Sequence, residues 1–202
     1  MLNVVVFASG RGSNFKSIFE SVSKEKIKIC SLVSDRDDCG AVKFALEKEI
    51  PVFLVDSKKK TGFFTFDDLI LQLNKIRVDL IVLAGFLKMI PGNFVDEFEN
   101  KIINIHPALL PSFGGKGMYG SNVHKAVFES SAKVSGATVH FVDKIFDHGS
   151  IIAQRTVDIS DVAGYEEIAE RVLKIEHELL PFVIEKFADN KIIINNNRVV
   201  IK

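Results

Sequence analysis

The stretch Asn104-Ile105-His106-Pro107 combines an amide and an imidazole at the end of a short apolar run. In a strand, side chains two positions apart point to the same side, so Asn104 and His106 could share one substrate atom. The amide can donate to a developing oxyanion, and a protonated imidazole can act as general acid or electrostatic stabiliser near neutral pH. A histidine at a strand end is more often a hydrogen-bonded structural residue, so the chemical interpretation needs a partner.

A partner is available in Asp147, which lies in the turn Phe146-Asp147-His148-Gly149 between two later apolar stretches. A carboxylate within about 4–6 Å of an imidazole favours its charged form. The alternative is an Asp-x-Gly turn in which the aspartate satisfies its own backbone, and spacing alone leaves both open. Among the other histidines, His140 alternates within a predicted strand and could face the same site.

A glycine-rich stretch from Ser9 to Asn14 separates the first apolar run from the first helical pattern. Its glycines allow close approach of the backbone to a ligand, and the free amides at a helix N-terminus favour an anion. The stretch therefore predicts a phosphate site, with Arg11, Ser13 and Asn14 as further donors.

Two other interpretations of this stretch remain open. Ser13 or Asn14 could be a plain helix N-cap. A dinucleotide site fits poorly, because the third glycine of G-x-G-x-x-G falls at Phe15, although Asp35 could mimic the acid that binds ribose.

The elements that must position these residues are short apolar runs separated by helical patterns, which is typical of parallel strands covered on both faces. We expect an α/β fold with an open, doubly wound, mostly parallel sheet, because such alternation builds βαβ units whose strands end at one edge. The predicted strands are Leu2 to Phe7, Ile27 to Val33, Pro51 to Val55, Leu80 to Ala84, Lys101 to Ile105, Val134 to Val142 and Ser150 to Val157.

The second half adds three further predictions. Four glycines in Ser112 to Gly120 indicate a mobile loop. Apolar spacing over Glu166 to Phe187 predicts a C-terminal helix, which Pro181 should kink. Residues 192–194 and 199–201 look like a small terminal hairpin around three asparagines, and the whole of 1–202 is expected to form a single domain.

Composition excludes several classes of partner. Lys plus Arg and Asp plus Glu both number 26 in the 202 residues, so no global field attracts nucleic acid or an anionic membrane. No run of about 18 apolar residues is present. Cys30 and Cys39 make neither a disulfide framework nor a four-ligand zinc site. We expect a cytoplasmic protein in which both cysteines are reduced.

Taken together, six segments in register resemble the folate-dependent glycinamide ribonucleotide formyltransferases of purine synthesis, from Met1 to about Ala188. No single segment would suffice, but their order is specific. The matching segments are Ser9 to Asn14, Asp79 to Phe86, Asn104 to Pro111, Gly136 to Val142, Asp147 to Gly149 with Ile152 and Gln154, and Glu176-His177 with Pro181.

The resemblance implies a Rossmann-like fold and a reaction in which 10-formyltetrahydrofolate is the co-substrate, with no metal and no tightly held cofactor. It implies a catalytic trio of Asn104, His106 and Asp147. It also implies substrate binding by Gly12, Ser13, Asn14 and Glu176, and folate binding by Leu87, Lys88, Met89 and Ile90 together with Asn104. The protein would act on small-molecule substrates, as a monomer or homodimer.

Departures from the family pattern concern cations and one loop. Lys88 stands where many members have arginine, which keeps the charge but loses the planar donor fork. An arginine of some members falls near Gly62, where only Lys58, Lys59 and Lys60 are close. The loop Gly114 to Gly120 is also longer than in better-known members.

Rival activities within the resemblance differ in the acceptor. A formyltetrahydrofolate hydrolase would use water, and another formyltransferase would use a different amine. A methionyl-tRNA formyltransferase is disfavoured, because it carries a further C-terminal domain and needs a basic tRNA surface. A non-catalytic nucleotide-binding module would explain the phosphate loop but not the trio.

Overall fold

The computed structural model describes residues 1–56, 58, 60–196 and 198–202. Lys59 near Gly62 and Asn197 of the predicted hairpin turn lie outside the described residues, as does Ser57. The chain divides into two compact units, Met1–Ile103 and Asn104–Lys202.

The first unit alternates strands and helices, as the recurring apolar runs predict. The fifth strand begins in this unit and ends in the next. Its elements are β1 (Leu2–Phe7), α1 (Ser13–Ser21), β2 (Ile27–Ser34), α2 (Gly40–Glu47), β3 (Val52–Leu54), α3 (Phe66–Lys75), β4 (Leu80–Leu83), α4 (Gly92–Glu97) and β5 (Ile102–His106).

The second unit contains a strand pair, a long helix and a terminal hairpin. Residues 112–120 form neither helix nor strand, as their glycine content predicts. The elements after β5 are α5 (Ser121–Glu129), β6 (Val134–Phe141), β7 (Ile151–Asp158), α6 (Tyr165–Ala188), β8 (Ile192–Asn195) and β9 (Arg198–Ile201).

The sheet order is β3-β2-β1-β4-β5-β6-β7, and β8-β9 form a separate hairpin. β1 pairs in parallel with β2 and β4, and β2 pairs in parallel with β3. β6 and β7 are antiparallel, and Ile152 of β7 is an extra residue where Val139 and His140 pair with Ala153 and Ile151. The expected mostly parallel α/β sheet with a C-terminal helix and hairpin is confirmed, and each predicted strand agrees with its observed bounds within one residue.

β1 is the central strand of the first unit, and its apolar run explains why. Val4 to Phe7 are completely buried, as expected for a strand covered on both faces. Phe7 packs edge to face on Phe86 and Phe94, with ring centroids 5.3 and 5.9 Å apart. This packing fixes the end of β1, from which the glycine-rich stretch departs.

α6 is the main helix of the second unit. It runs unbroken over 24 residues with Pro181 inside it, and the kink expected there stays a prediction. Its apolar stripe, which includes Ile168, Val172 and Leu179, is buried. Among the described helices, none combines the length and the apolar character of a membrane-spanning segment.

Candidate active site

The turn between β1 and α1 leaves the start of α1 without a side-chain cap. Gly12 holds the N-cap position with φ 77° and ψ 23°, a left-handed conformation that glycine adopts without strain. The interpretation of Ser13 or Asn14 as a plain N-cap is therefore wrong. The first amides of α1 are not satisfied by a capping side chain, which is the condition for binding an anion there.

Two glycines hold this turn against the start of α2. A Cβ on Gly12 would lie 2.8 Å from the Cα of Ala41, and a Cβ on Gly40 would lie 2.7 Å from the carbonyl oxygen of Arg11. The amide of Ala41 also donates to the carbonyl of Gly10 over 3.1 Å. The sequence predicted that glycines in this turn allow the backbone to approach a ligand. At Gly12 the backbone instead approaches Ala41 of α2.

The residue before the turn, Ser9, supplies a buried hydroxyl. Its amide donates to the carbonyl of Gly85 over 3.1 Å, which ties the segment after β1 to the segment after β4. Within the described part of the chain, its Oγ is buried and has no hydrogen-bond partner. Asn14, in the first turn of α1, is also buried. Polar side chains thus accompany the open helix N-terminus.

The segment predicted to bind folate, residues 87–90, is irregular and alternates in exposure. Leu87 and Met89 are exposed, whereas Ile90 is buried. The Lys88 ammonium lies 3.1 Å from the Oδ2 of Asp56 and 3.6 Å from the Oδ2 of Asp35. Its charge is therefore paired within the protein, and it ties the segment to residues just after β2 and β3. Asp35, the possible mimic of a ribose-binding acid, serves as one of the two carboxylates.

His106 and Asp147 come together in the second unit, although 41 positions separate them. His106 is buried at 3% exposure, and its Nδ1 lies 3.5 Å from the Oδ1 of Asp147. Its Nε2 lies 2.8 Å from the carbonyl oxygen of Phe113. Both ring nitrogens thus face acceptors, and only an imidazole protonated on both nitrogens can donate to both.

Asp147 is held by the glycine-rich loop as well as by its own turn. The amide of Gly115 donates to its Oδ2 over 2.9 Å, and Asp147 itself has a left-handed φ of 54°. Aspartate tolerates this conformation better than most residues. Because the carboxylate binds a distant amide, the alternative of an aspartate that only satisfies its own turn does not describe it.

Asn104 reaches this cluster through His140. The Nδ2 of Asn104 lies 3.1 Å from the Nε2 of His140, and that nitrogen is 3.7 Å from the Oδ1 of Asp147. The Nδ1 of His140 lies 2.7 Å from the carbonyl oxygen of Phe141. Burial lowers the pKa of His140, although the Phe141 carbonyl and Asp147 act in the opposite direction. The structure therefore joins the trio with a fourth side chain in its centre.

The sequence that carries this cluster matches a known protein family. Residues 2–184 match the family model described as "Formyl transferase". The chain belongs to the formyl transferase family.

Individual relatives of this formyl transferase carry a more specific name. It is 44% identical to the chloroplastic phosphoribosylglycinamide formyltransferase of Vigna unguiculata over 94% of the chain and 62% of that relative. It is 36% identical to the phosphoribosylglycinamide formyltransferase of Bacillus subtilis over 92% of the chain and 94% of the relative. The crystal structure of the Anaplasma phagocytophilum enzyme of that name has a TM-score of 0.90 and 32% identity, covering 100% and 94% of the two chains.

The plant relatives are longer proteins. The chain spans 62–66% of the length of the first three curated relatives it matches.

A supporting network in this formyl transferase was missed by the sequence analysis. Thr138 donates to the carbonyl of Ala108 over 2.6 Å and accepts from the amide of Leu110 over 3.1 Å. Gln154 donates to the carbonyl of Leu110 over 2.9 Å. These bonds fix the turn that follows His106. The available signal was the alternation of Thr138 and His140 along β6, since residues two apart share a face.

His124 and Glu176 are further buried polar residues of the second unit. His124, on α5, has its pKa lowered by burial and by the proximity of His106. In the described residues, its Nδ1 is buried without a hydrogen-bond partner. Glu176, predicted to hold substrate, is buried on α6. In the part of the chain that the structure describes, no three His, Cys, Asp or Glu side chains are arranged so that they could hold a metal ion, and the absence of a metal stays a prediction.

Proposed function

We propose that this formyl transferase moves the formyl group of 10-formyltetrahydrofolate to the amine of glycinamide ribonucleotide in purine biosynthesis. The names of relatives at 36–44% identity support this substrate pair. The observation that carries the proposal is a buried His106 with both ring nitrogens facing acceptors, one of them the carboxylate of Asp147.

In the proposed reaction the substrate amine attacks the formyl carbon, and negative charge develops on the formyl oxygen. Asn104 donates a hydrogen bond to that oxygen, and His106 stabilises it as a cation. Asp147 keeps the imidazole charged and helps move the proton lost by the amine, through water. The bond from the formyl carbon to the folate nitrogen then breaks, and that nitrogen takes up a proton.

The Phe113 carbonyl bears directly on this reaction. It accepts from the Nε2 of His106 over 2.8 Å, so a substrate oxygen that uses this nitrogen must displace it. The loop 112–120 is glycine-rich and therefore has a large entropy to lose on closing over a ligand. We propose that this loop exchanges its contact with His106 for one with substrate.

For the substrate phosphate we propose the start of α1, with Gly12, Ser13 and Asn14. The open N-cap at Gly12 and the buried, unpartnered hydroxyl of Ser9 among the described residues support an anion site. Glu176 on α6 is proposed to hold the substrate as well.

For the folate we propose the backbone of residues 87–90, together with Asn104. The exposed Leu87 and Met89 offer apolar contact to a flat ring, and the two ion pairs of Lys88 hold the segment in place. Lys88 acts here through its position, because its ammonium is already paired.

The whole chain is proposed to act as one catalytic domain, which the family match across both compact units supports. The cytoplasmic location, the monomeric or homodimeric state and the lack of a nucleic-acid partner stay predictions. The chloroplastic location in the name of the plant relative concerns that protein.

One assay tests the proposal. The protein is incubated with 10-formyltetrahydrofolate, with and without glycinamide ribonucleotide, and release of tetrahydrofolate is followed. Release that depends on the ribonucleotide, with a formylated product, supports the transferase. Release without acceptor indicates a hydrolase, and absence of release indicates a binding protein; either result contradicts the proposal.

A further inference from the structure

His140 is almost completely buried on β6, with 2% exposure, and it contacts polar groups through both ring nitrogens. Its Nδ1 faces the carbonyl oxygen of Phe141 at 2.7 Å. A carbonyl oxygen can only accept, so a hydrogen bond of this length requires a proton on Nδ1.

The other ring nitrogen is therefore an acceptor when the ring is neutral. Burial lowers the pKa of His140, which favours the neutral ring near neutral pH, even though Asp147 and Asp143 act against it and His106 acts with it. A neutral imidazole with its proton on Nδ1 carries a lone pair on Nε2. Of the two ends of the Asn104 carboxamide, only the NH2 group can make a hydrogen bond to that lone pair.

We propose that His140 is a positioning residue, which fixes the Asn104 carboxamide with its NH2 group toward Nε2 at 3.1 Å. The flipped amide would place the carbonyl oxygen of Asn104 against the Nε2 lone pair, which is repulsive. Because the amide is planar, fixing one N–H of Nδ2 also fixes the direction of the second. That second N–H is the donor that the proposed reaction assigns to the formyl oxygen, so the inference rests on the proposed function.

The position of His140 in the sheet supports this role. Thr138, two residues earlier on β6, bonds the carbonyl of Ala108 and the amide of Leu110 in the turn after His106. Thr138 and His140 share one face of the strand, and both contact the segment that carries Asn104 and His106. The extra residue of β7 lies opposite His140, where a bulge can re-aim a side chain beside a site.

Two substitutions separate the two hydrogen bonds of His140. His140→Gln can place a carbonyl oxygen near the former Nε2, which keeps the acceptor for Asn104. His140→Asn can place an amide N–H near the former Nδ1, which keeps the bond to Phe141 but removes the acceptor. His140→Leu removes both, and Asn104→Ala marks the full loss of the donor.

We expect kcat to fall by about 10–100-fold in His140→Asn and His140→Leu, short of the roughly 10²–10³-fold expected for loss of the donor itself in Asn104→Ala. The KM values for both substrates should change less than about threefold, because the donor acts mainly on charge that develops in the transition state. His140→Gln should recover most of the lost kcat. A merely structural role would lower the melting temperature in all three variants without this order in kcat per folded molecule.

A second readout does not depend on activity. The two side-chain NH2 protons of Asn104, assigned by NMR through Asn104→Ala, should differ widely in chemical shift when one of them is bonded to Nε2. This difference should persist in His140→Gln and collapse in His140→Asn.

Equal kcat in the Gln and Asn variants, or an unchanged Asn104 NH2 signal in His140→Asn, would overturn the positioning role. If the wild-type protein showed no formyl transfer, the proposed function would fail while the NMR comparison still decided the orientation of Asn104.

Discussion

The turn at Gly12 and the cluster around His106 are built by different means. At Gly12 the structure depends on main-chain atoms, since a single Cβ would contact Ala41 at 2.8 Å. Around His106 it depends on side chains from β5 and β6 and from two loops, joined by polar contacts of 2.8 to 3.7 Å. We therefore expect the turn at Gly12 to be disrupted by an added side-chain atom. The cluster around His106 should be disrupted when a charge or a hydrogen-bond donor is removed.

The largest effect should come from Asp147→Asn. Asparagine keeps the size and tolerates the left-handed φ of 54°, but it lacks the charge that supports a cationic His106. We expect kcat to fall by about 10²–10⁴-fold, while binding of both substrates changes much less. The measurement is kcat per folded active site, together with the ring 15N shifts of His106, which report whether both nitrogens still carry protons.

Asp143→Asn is the matched control, because it removes a carboxylate from the same loop. Asp143 pairs on the surface with His148, at 2.6 Å, and kcat should stay within about threefold of wild type. If Asp147→Asn lowered only thermal stability and left kcat unchanged, the cluster around His106 would not be catalytic.

A smaller effect on stability is expected from Gly12→Val. The new Cβ would meet Ala41 and the positive φ would be strained, so the free energy of unfolding should fall by about 2–4 kcal/mol. The KM for the phosphorylated substrate should rise as the turn moves. Urea unfolding and steady-state kinetics measure the two effects.

Gly10→Ala is the control for this turn, since an added Cβ there meets nothing within 4 Å. Its free energy of unfolding should change by no more than about 0.5 kcal/mol. Because the added Cβ meets no protein atom, a rise in KM in this variant would show that it contacts the substrate. Equal stability of Gly10→Ala and Gly12→Val would contradict the packing of the turn on α2.

The third prediction is that acidification lowers the free energy of unfolding through two buried histidines of the second unit. Burial lowers the folded-state pKa values of His140 and His124 below the ordinary 6.5. The unfolded chain then binds protons first, so the stability is fully present above about pH 6.5 and falls as the pH drops below it. Urea unfolding at about pH 7.5 and about pH 5.5 measures the change.

His124→Asn removes one of the two histidines and should reduce this acid-dependent loss. An identical pH dependence in wild type and His124→Asn would show that His124 takes no part. A stability independent of pH over this range would contradict both shifts.

The smallest effect should be a change in amide exchange in the loop 112–120. Its Phe113 carbonyl and Gly115 amide bind His106 and Asp147, so the exchange of the Gly115 amide should quicken in Asp147→Ala. Exchange across the loop should slow when substrate and a folate analogue are both bound. Equal exchange with and without ligands would contradict loop closure.

Much of the architecture could be predicted from local pattern. The seven apolar runs of the sheet gave its strands within one residue, because a strand buried on both faces needs a continuous apolar stretch. The glycine-rich turn before the first helix was also visible in the sequence, but the packing of Gly12 on Ala41 was not, since that contact joins segments 29 positions apart.

By itself the sequence determined the parallel sheet, the glycine-rich turn and the three residues Asn104, His106 and Asp147 as candidates, since residue type and spacing are local properties. Only the tertiary structure decided which other groups contact the predicted site residues. His140 lies between Asn104 and Asp147. The carbonyl oxygen of Phe113 accepts a hydrogen bond from the Nε2 of His106. The ammonium of Lys88 forms ion pairs with Asp35 and Asp56. Such contacts depend on distances between strands and loops remote in sequence, and a hydrogen bond is decided by tenths of an ångström that no spacing records.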